Sequence, residues 1–290
     1  MSLVFFKHEK MRIFFALFLL TILSCSKDNS TTEPTPQAFI GTKSITYNGV
    51  NVNLVIDKPA LKEVDVIIVY HGTVKYDNLI LEASTSLIDK VKTILDREDM
   101  MIVSVAYPEQ NLLMGDNILE AEAGLLWVKN KANEEFGVTV KKIFLLGHSQ
   151  GGYLVTRLNT MHQTNGVIAN APGPLNLVYR CQLEESGTIP NGITCTLLKN
   201  TYGTTSANPT AYMQRSLLNF TTGFKSDILF VQGLNDTPIQ MYSWPTFKQD
   251  VTNCTTCQNS QFLELAGEGH SALFTNSTAK TAFNNFINTR

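Results

Sequence analysis

Ile143-Phe144-Leu145-Leu146-Gly147-His148-Ser149-Gln150-Gly151-Gly152 carries four apolar residues into a glycine, a serine and a pair of glycines. An apolar run of that length stopped by glycine predicts a buried strand. Beyond it Leu154, Val155, Leu158 and Met161 recur at helical spacing, so a helix is expected next. Ser149, with His148 before it, then stands on a sharp strand-to-helix turn. Gly147 and Gly151, two residues either side, are small enough for strand and helix to close up. Such a turn also aims the first helical amides, beginning with that of Gln150, at whatever sits on Ser149. One donor for a developing negative oxygen therefore comes with the geometry.

Working outward, short apolar runs alternate with amphipathic stretches, the pattern of an α/β architecture with a mostly parallel sheet. Strands are expected at Val64–Tyr70, Met101–Ala106, Val167–Ala169, Ile228–Val231 and Phe262–Leu265, and helices over Leu79–Leu95 and Ile118–Ala132. Ahead of them, Ser44–Tyr47 and Val50–Ile56 flank Asn48-Gly49 and predict an antiparallel hairpin. The interval of about 173–225 is rich in Gly, Pro, Thr and Asn and weakly periodic, which reads as a lid-like insertion or as a surface excursion.

A serine hydroxyl is a weak nucleophile until a base accepts its proton. The chain has five histidines, and His270 alone follows the last strand, on the loop Gly267-Glu268-Gly269-His270. His162, at the end of the helix after Ser149, reads as an exposed helix-end residue. A carboxylate to orient the base is expected after the preceding strand, where Asp236 lies, while Asp227, Asp250 and Glu268 are less suitably placed. After the first buried parallel strand, Tyr70-His71-Gly72-Thr73 offers a second oxyanion donor, the Thr73 amide first and that of Gly72 second.

From about Val64 onward the chain resembles the α/β-hydrolases of the dienelactone-hydrolase and prolyl-oligopeptidase-like type, with GHSQGGY (147–153) as the most specific match. The order Ser149, Asp236, His270 is also theirs. The resemblance implies an eight-stranded, mostly parallel sheet flanked by helices, with no metal or organic cofactor. The expected activity is cleavage of a small-molecule or carbohydrate-linked ester through an acyl-enzyme. A peptidase or amidase would use the same machinery, but no β-propeller sequence is present, and the oxyanion loop reads HGT where many relatives have HGG. A binding lipoprotein without catalysis is a third reading, although decayed sites usually lose a triad member. Leu112, Leu113, Met114, Met241, Tyr242 and Trp244 lie in segments that could line the pocket or equally belong to the core.

The 290 residues are 43% hydrophobic and 17% charged, enough for one large domain, here expected over 39–290. A formal charge of −2, without a basic patch, argues against nucleic acid as a partner. Lys7, Lys10 and Arg12 precede the apolar run Ile13–Leu23. As a helix that run would span roughly 16 Å, too short for a membrane but suited to a signal peptide over 1–24. Ile22-Leu23-Ser24-Cys25 resembles the lipobox of bacterial lipoproteins, in which Cys25 would be acylated, with 25–38 as a polar tether. That implies an exported protein of the cell envelope, held to a membrane through its lipid alone. Cys181, Cys195, Cys254 and Cys257 then fall in an oxidising compartment. Proximity favours Cys181–Cys195 and Cys254–Cys257, although four cysteines allow three connectivities, and a zinc or redox CxxC is the sharper reading of the last pair.

Overall fold

The computed structural model describes residues 36–290. The expected signal segment, Cys25 and most of the tether lie outside the described residues. The described chain opens on β1 (Phe39–Tyr47) and β2 (Val50–Lys58), an antiparallel hairpin. Asn48 and Gly49 turn it with φ of 50° and 81°, the positive pair a two-residue turn needs. There follow β3 (Glu63–Tyr70), α1 (Ile80–Ile94), β4 (Met100–Ala106), α2 (Ile118–Phe136), β5 (Thr139–His148), α3 (Gln150–Met161) and β6 (Gly166–Asn170). An insertion supplies α4 (Leu177–Glu185), α5 (Ile193–Tyr202) and α6 (Pro209–Met213). The chain closes through β7 (Ile228–Gly233), α7 (Pro238–Thr252), β8 (Ser260–Leu265), α8 (Ala272–Thr275) and α9 (Ser277–Asn288).

The eight strands form one sheet in the order β1-β2-β4-β3-β5-β6-β7-β8. β2 meets both neighbours antiparallel, and every pairing from β4 through β8 is parallel. After β3 the chain goes outward to β4 and then returns to add β5 on the other side of β3. At such a reversal the connections after the two strands leave on opposite faces, and a crevice opens at the strands' C-terminal ends. Tyr70 and Gly147 are register partners there, so the segments after β3 and β5 emerge side by side.

Each face of the sheet is buried. On one, Leu87, Ile88 and Val91 of α1 and Phe283, Phe286 and Ile287 of α9 pack on Ile67, Val69, Phe144 and Leu146. On the other, α2, α3 and α7 cover Val66, Ile68, Leu145 and Phe230, and the insertion adds Leu177, Leu198 and Tyr212 to the same cluster. α2 can approach the sheet closely because Gly124 lies against Val105, where a Cβ would come within 2.7 Å of a methyl group.

The insertion is more ordered than its weak periodicity suggests. Asn176 and Asn208 cap α4 and α6 by accepting the amides of Tyr179 and Ala211. Disulfides join Cys181 of α4 to Cys195 of α5, and Cys254 to Cys257 just beyond α7. Sequence proximity favours the same two pairs, and with both thiols bonded Cys254 and Cys257 have no thiolate for zinc.

Candidate active site

β5 ends at His148 and α3 begins at Gln150, leaving Ser149 between them with φ 57° and ψ −116°. That backbone is strained for any residue with a Cβ, at about 1–3 kcal/mol, and persists only where the surroundings enforce it. Here they do. A Cβ on Gly147 would lie 2.0 Å from the Gly151 carbonyl oxygen, and one on Gly151 would lie 1.9 Å from that of Tyr70. The Ser149 amide donates to the Asn170 carbonyl at 2.9 Å, and the Ser149 carbonyl accepts from Tyr153 and Gly173, both at 3.1 Å.

The segment after β3 is held at each residue. Tyr107 donates its hydroxyl to the His71 carbonyl and stacks on the His71 ring at 4.1 Å. His71 Nδ1 lies 2.8 Å from the Gly72 carbonyl, and burial pushes its pKa down to about 4, so the ring is neutral and donates there. The Thr73 hydroxyl donates to Gln150 Oε1 at 2.8 Å, and the Val74 amide donates to Glu109 Oε2 at 2.8 Å. Glu109 is 5% exposed, and burial raises its pKa to about 8. Gly72 sits beside Ser149, where a Cβ would stand 3.4 Å from that of the serine. Among the described residues the amides of Gly72 and Thr73 have no protein acceptor.

His270 and Asp236 arrive on the loops after β8 and β7. The Asn235 amide donates to the Glu268 carbonyl at 2.8 Å, and Gly233 permits the approach, since a Cβ there would come within 2.2 Å of the Gly269 carbonyl oxygen. His270 Nδ1 reaches Asp236 Oδ2 at 2.8 Å. The same oxygen accepts from Gln232 Nε2 at 3.1 Å, and Oδ1 accepts from the Thr237 amide at 2.6 Å. Burial raises the Asp236 pKa, but the hydrogen bonds from His270, Thr237 and Gln232 outweigh it and hold the carboxylate below its ordinary range. No hydrogen bond joins Ser149 Oγ to the imidazole in this state, although both residues line one cavity of about 460 Å³.

Three amides that the sequence reading passed over support these groups. Asn170, wholly buried at the end of β6, approaches His148 Nδ1 at 2.8 Å, donates to the His270 carbonyl at 3.2 Å and accepts from the Leu273 amide. Burial, then the nearby His270, pushes the His148 pKa down to about 3, so its Nδ1 is free to accept from Asn170. Gln232 is itself tied to Gln240, whose amide also donates to the Pro172 carbonyl. For Asn170 and Gln232 the available signal was a polar residue at or next to the end of an apolar strand, as in Gly166–Asn170 and Ile228–Gly233.

Two of the three competing acids are engaged elsewhere. Asp227 pairs with Arg290 at 2.9 Å, and Glu268 accepts from Thr275 and Asn276. His162 is not a bare helix end: it is partly buried and meets Glu122 at 2.5 Å. Leu112, Leu113 and Met114 line a second, apolar cavity of about 190 Å³ roofed by Ile193 and Leu197 of α5, and Met114, Thr73, Gln150 and Thr194 border both cavities. Met241, Tyr242 and Trp244 line neither of them. Trp244 is buried and donates to Glu264, Met241 packs on the core, and Tyr242 is exposed and stacks on Tyr179. Among the described residues no group of three His, Cys, Asp or Glu could hold a metal ion.

No family profile and no curated protein matches the chain. Solved structures do. Est1E from Butyrivibrio proteoclasticus superposes with a TM-score of 0.61 at 15% identity, over 86% of this chain and 98% of that one. A thermostable esterase from Pseudomonas putida ECU1011 gives 0.61 at 17% identity, over 86% and 81%. An acylaminoacyl peptidase from Pyrococcus horikoshii gives 0.62 at 14% identity, over 88% of this chain but 42% of the peptidase. At such identities the likeness is one of architecture, and together with the strand order and the turn at Ser149 it gives this chain the α/β-hydrolase fold.

Proposed function

We propose that the chain is a serine hydrolase that cleaves carboxylic esters, with Ser149 as nucleophile, His270 as general base and Asp236 as the acid that orients it. The observation that carries this reading is the 2.8 Å contact from His270 Nδ1 to the buried, multiply bonded carboxylate of Asp236, with His270 and Ser149 lining one cavity. With Nδ1–H committed to the carboxylate, Nε2 is left as the basic nitrogen. As Ser149 Oγ attacks the ester carbonyl its proton passes to Nε2, and the tetrahedral oxyanion is met by the amides of Gln150 and Thr73, with Gly72 as the alternative donor. Collapse expels the alcohol, which leaves with that proton. Water then attacks the acyl-enzyme by the same route and restores Ser149. The Ser149–His270 hydrogen bond closes as substrate docks, since catalytic contacts in empty sites are commonly long.

Likeness to the acylaminoacyl peptidase supports a second reading, hydrolysis of peptide or amide bonds, though this chain matches 42% of that protein and nearly all of Est1E. The neighbouring apolar cavity under α5 supports an ester with a short acyl or aryl arm. Cys25 after a short apolar run supports an exported lipoprotein acting in the cell envelope. Labelling by a fluorophosphonate, followed by a panel of esters and peptide amides, tests the assignment. Labelling lost in Ser149→Ala and turnover confined to esters is expected. Labelling that survives in the alanine variant would remove Ser149 from the mechanism, and faster turnover of amides would favour the second reading.

A further inference from the structure

Ester cleavage needs no fixed cation beyond the oxyanion donors, yet Arg180 of α4 lines the cavity that holds Ser149 and His270. Among the described residues no aspartate or glutamate lines that cavity. Arg180 Nε donates to Glu184 Oε1 at 3.2 Å, one turn further along the helix. Glu184 is 3% exposed and spends its other oxygen on the Gly192 amide at 2.7 Å, whereas the Arg180 side chain is 40% exposed. The carboxylate is thus turned into the α4–α5 junction, where it accepts from both Arg180 and the Gly192 amide. It fixes one edge of the guanidinium, and among the described residues no hydrogen bond occupies the Nη groups. Gly192 packs closely on the pair: a Cβ there would press on Glu184 Oε1 at 3.2 Å and on Arg180 Nη2 at 3.3 Å.

Bracing the two helices does not require the arginine. The Cys181–Cys195 disulfide and the Glu184–Gly192 bond already link α4 to α5. A planar guanidinium held by one edge, on a partly exposed side chain that lines a cavity and leaves its Nη donors without a hydrogen bond, is suited to receive a carboxylate in a bidentate contact. Since Glu184 offsets the Arg180 charge, a monoanion is the better match. A dianionic phosphate would leave excess negative charge close to Glu184.

We propose that Arg180 is a specificity residue for an ester that bears a free carboxylate, such as a half-ester of a short dicarboxylic acid. This rests on the ester-hydrolase reading above. It sets a preference among esters that neither the triad nor the apolar cavity would impose.

The test compares kcat/KM for monomethyl glutarate with that for dimethyl glutarate, which shares its chain and leaving group but lacks the charge. The full chain should favour the monoanion by about tenfold, and 1 M salt should shrink the ratio, because a partly exposed ion pair is screened. In Arg180→Gln the ratio should fall to about one or below, and in Arg180→Lys it should be intermediate. If the exchange leaves Glu184 unpaired and the protein fails to fold, Arg180→Gln combined with Glu184→Gln gives the same readout without the stranded charge. A wild-type ratio at or below one, or a ratio unchanged in Arg180→Gln, overturns the proposal while leaving ester hydrolysis standing. If no ester is turned over at all, the functional reading fails. Calorimetry of Ser149→Ala with monomethyl glutarate then decides separately whether the anion binds: binding abolished by Arg180→Gln upholds the site, and no binding refutes it.

Discussion

Replacing Ser149 with glycine should make the protein more stable than replacing it with alanine, although both variants should be inactive under the proposed mechanism. Ser149 has φ 57° and ψ −116°, a backbone in which a Cβ is opposed at about 1–3 kcal/mol. Alanine keeps the Cβ and hence the strain, and glycine releases it. Against this, glycine gains freedom in the unfolded chain, which costs about 0.5–1 kcal/mol. The net gain is about 1 kcal/mol, or roughly 2–4 °C in Tm for a domain of this size. Loss of the hydroxyl is common to both variants and cancels in the comparison. Calorimetric melting of the two proteins side by side reads the difference, with denaturant midpoints as a check. If the glycine variant melts at or below the alanine variant, the elbow is not a store of strain, and close packing of Gly147 and Gly151 would have to be explained without it.

Asp236→Asn should keep the fold and lose on the order of 10³–10⁴-fold in kcat, because an amide can hold the wrong imidazole tautomer. The Asp236 pKa is depressed in the fold, so its stabilisation is present above the ordinary aspartate range and lost as pH falls through the depressed value, and acid melting curves should show that loss in the parent but not in the variant. Glu109 behaves oppositely: its pKa is raised to about 8, so stability falls as pH climbs from about 4.5 toward 8, and Glu109→Gln should flatten Tm over that window. Leu197→Trp should narrow the apolar cavity and depress kcat/KM for hexanoyl esters more than for acetyl esters. In the parent each methylene should add up to about fourfold, from about 0.8 kcal/mol, until about six heavy atoms fill the space; equal losses across the series would make α5 structural. Cys25→Ser should release the exported protein from the detergent phase, and an unmodified mature N-terminus by mass spectrometry would refute lipidation.

The parallel sheet was legible because strands buried on both faces are written as unbroken apolar runs, such as Ile228–Val231, and the turn at Ser149 because only glycines fit around it. Asp236 and His270 followed from their positions after consecutive strands. The insertion helices were not legible. α5 buries only Cys195 and Leu198, and α4 buries Glu184 beside Leu177 and Cys181, so neither displays an apolar stripe long enough to read. α7 hides for a related reason, with Pro245 in its interior and Gln240 and Ser243 among its buried residues. Asn170 and Gln240 act on partners 100 and 68 residues away, and local spacing carries no trace of such pairings.

The bridge between Cys181 and Cys195 ties the roof of the apolar cavity to the helix that carries Arg180, across a sequence separation of 14. Closing a loop of that size is worth about 3 kcal/mol against the open chain. While the thiols are reduced, that stabilisation is absent, and the two helices are left with the Glu184–Gly192 bond and their apolar packing. A newly made chain would therefore bring Ser149, His270 and Asp236 together before it holds a settled substrate chamber. Under the proposed export, oxidation beyond the membrane would complete that chamber last, so that full selectivity is reached only outside the cell that makes the protein.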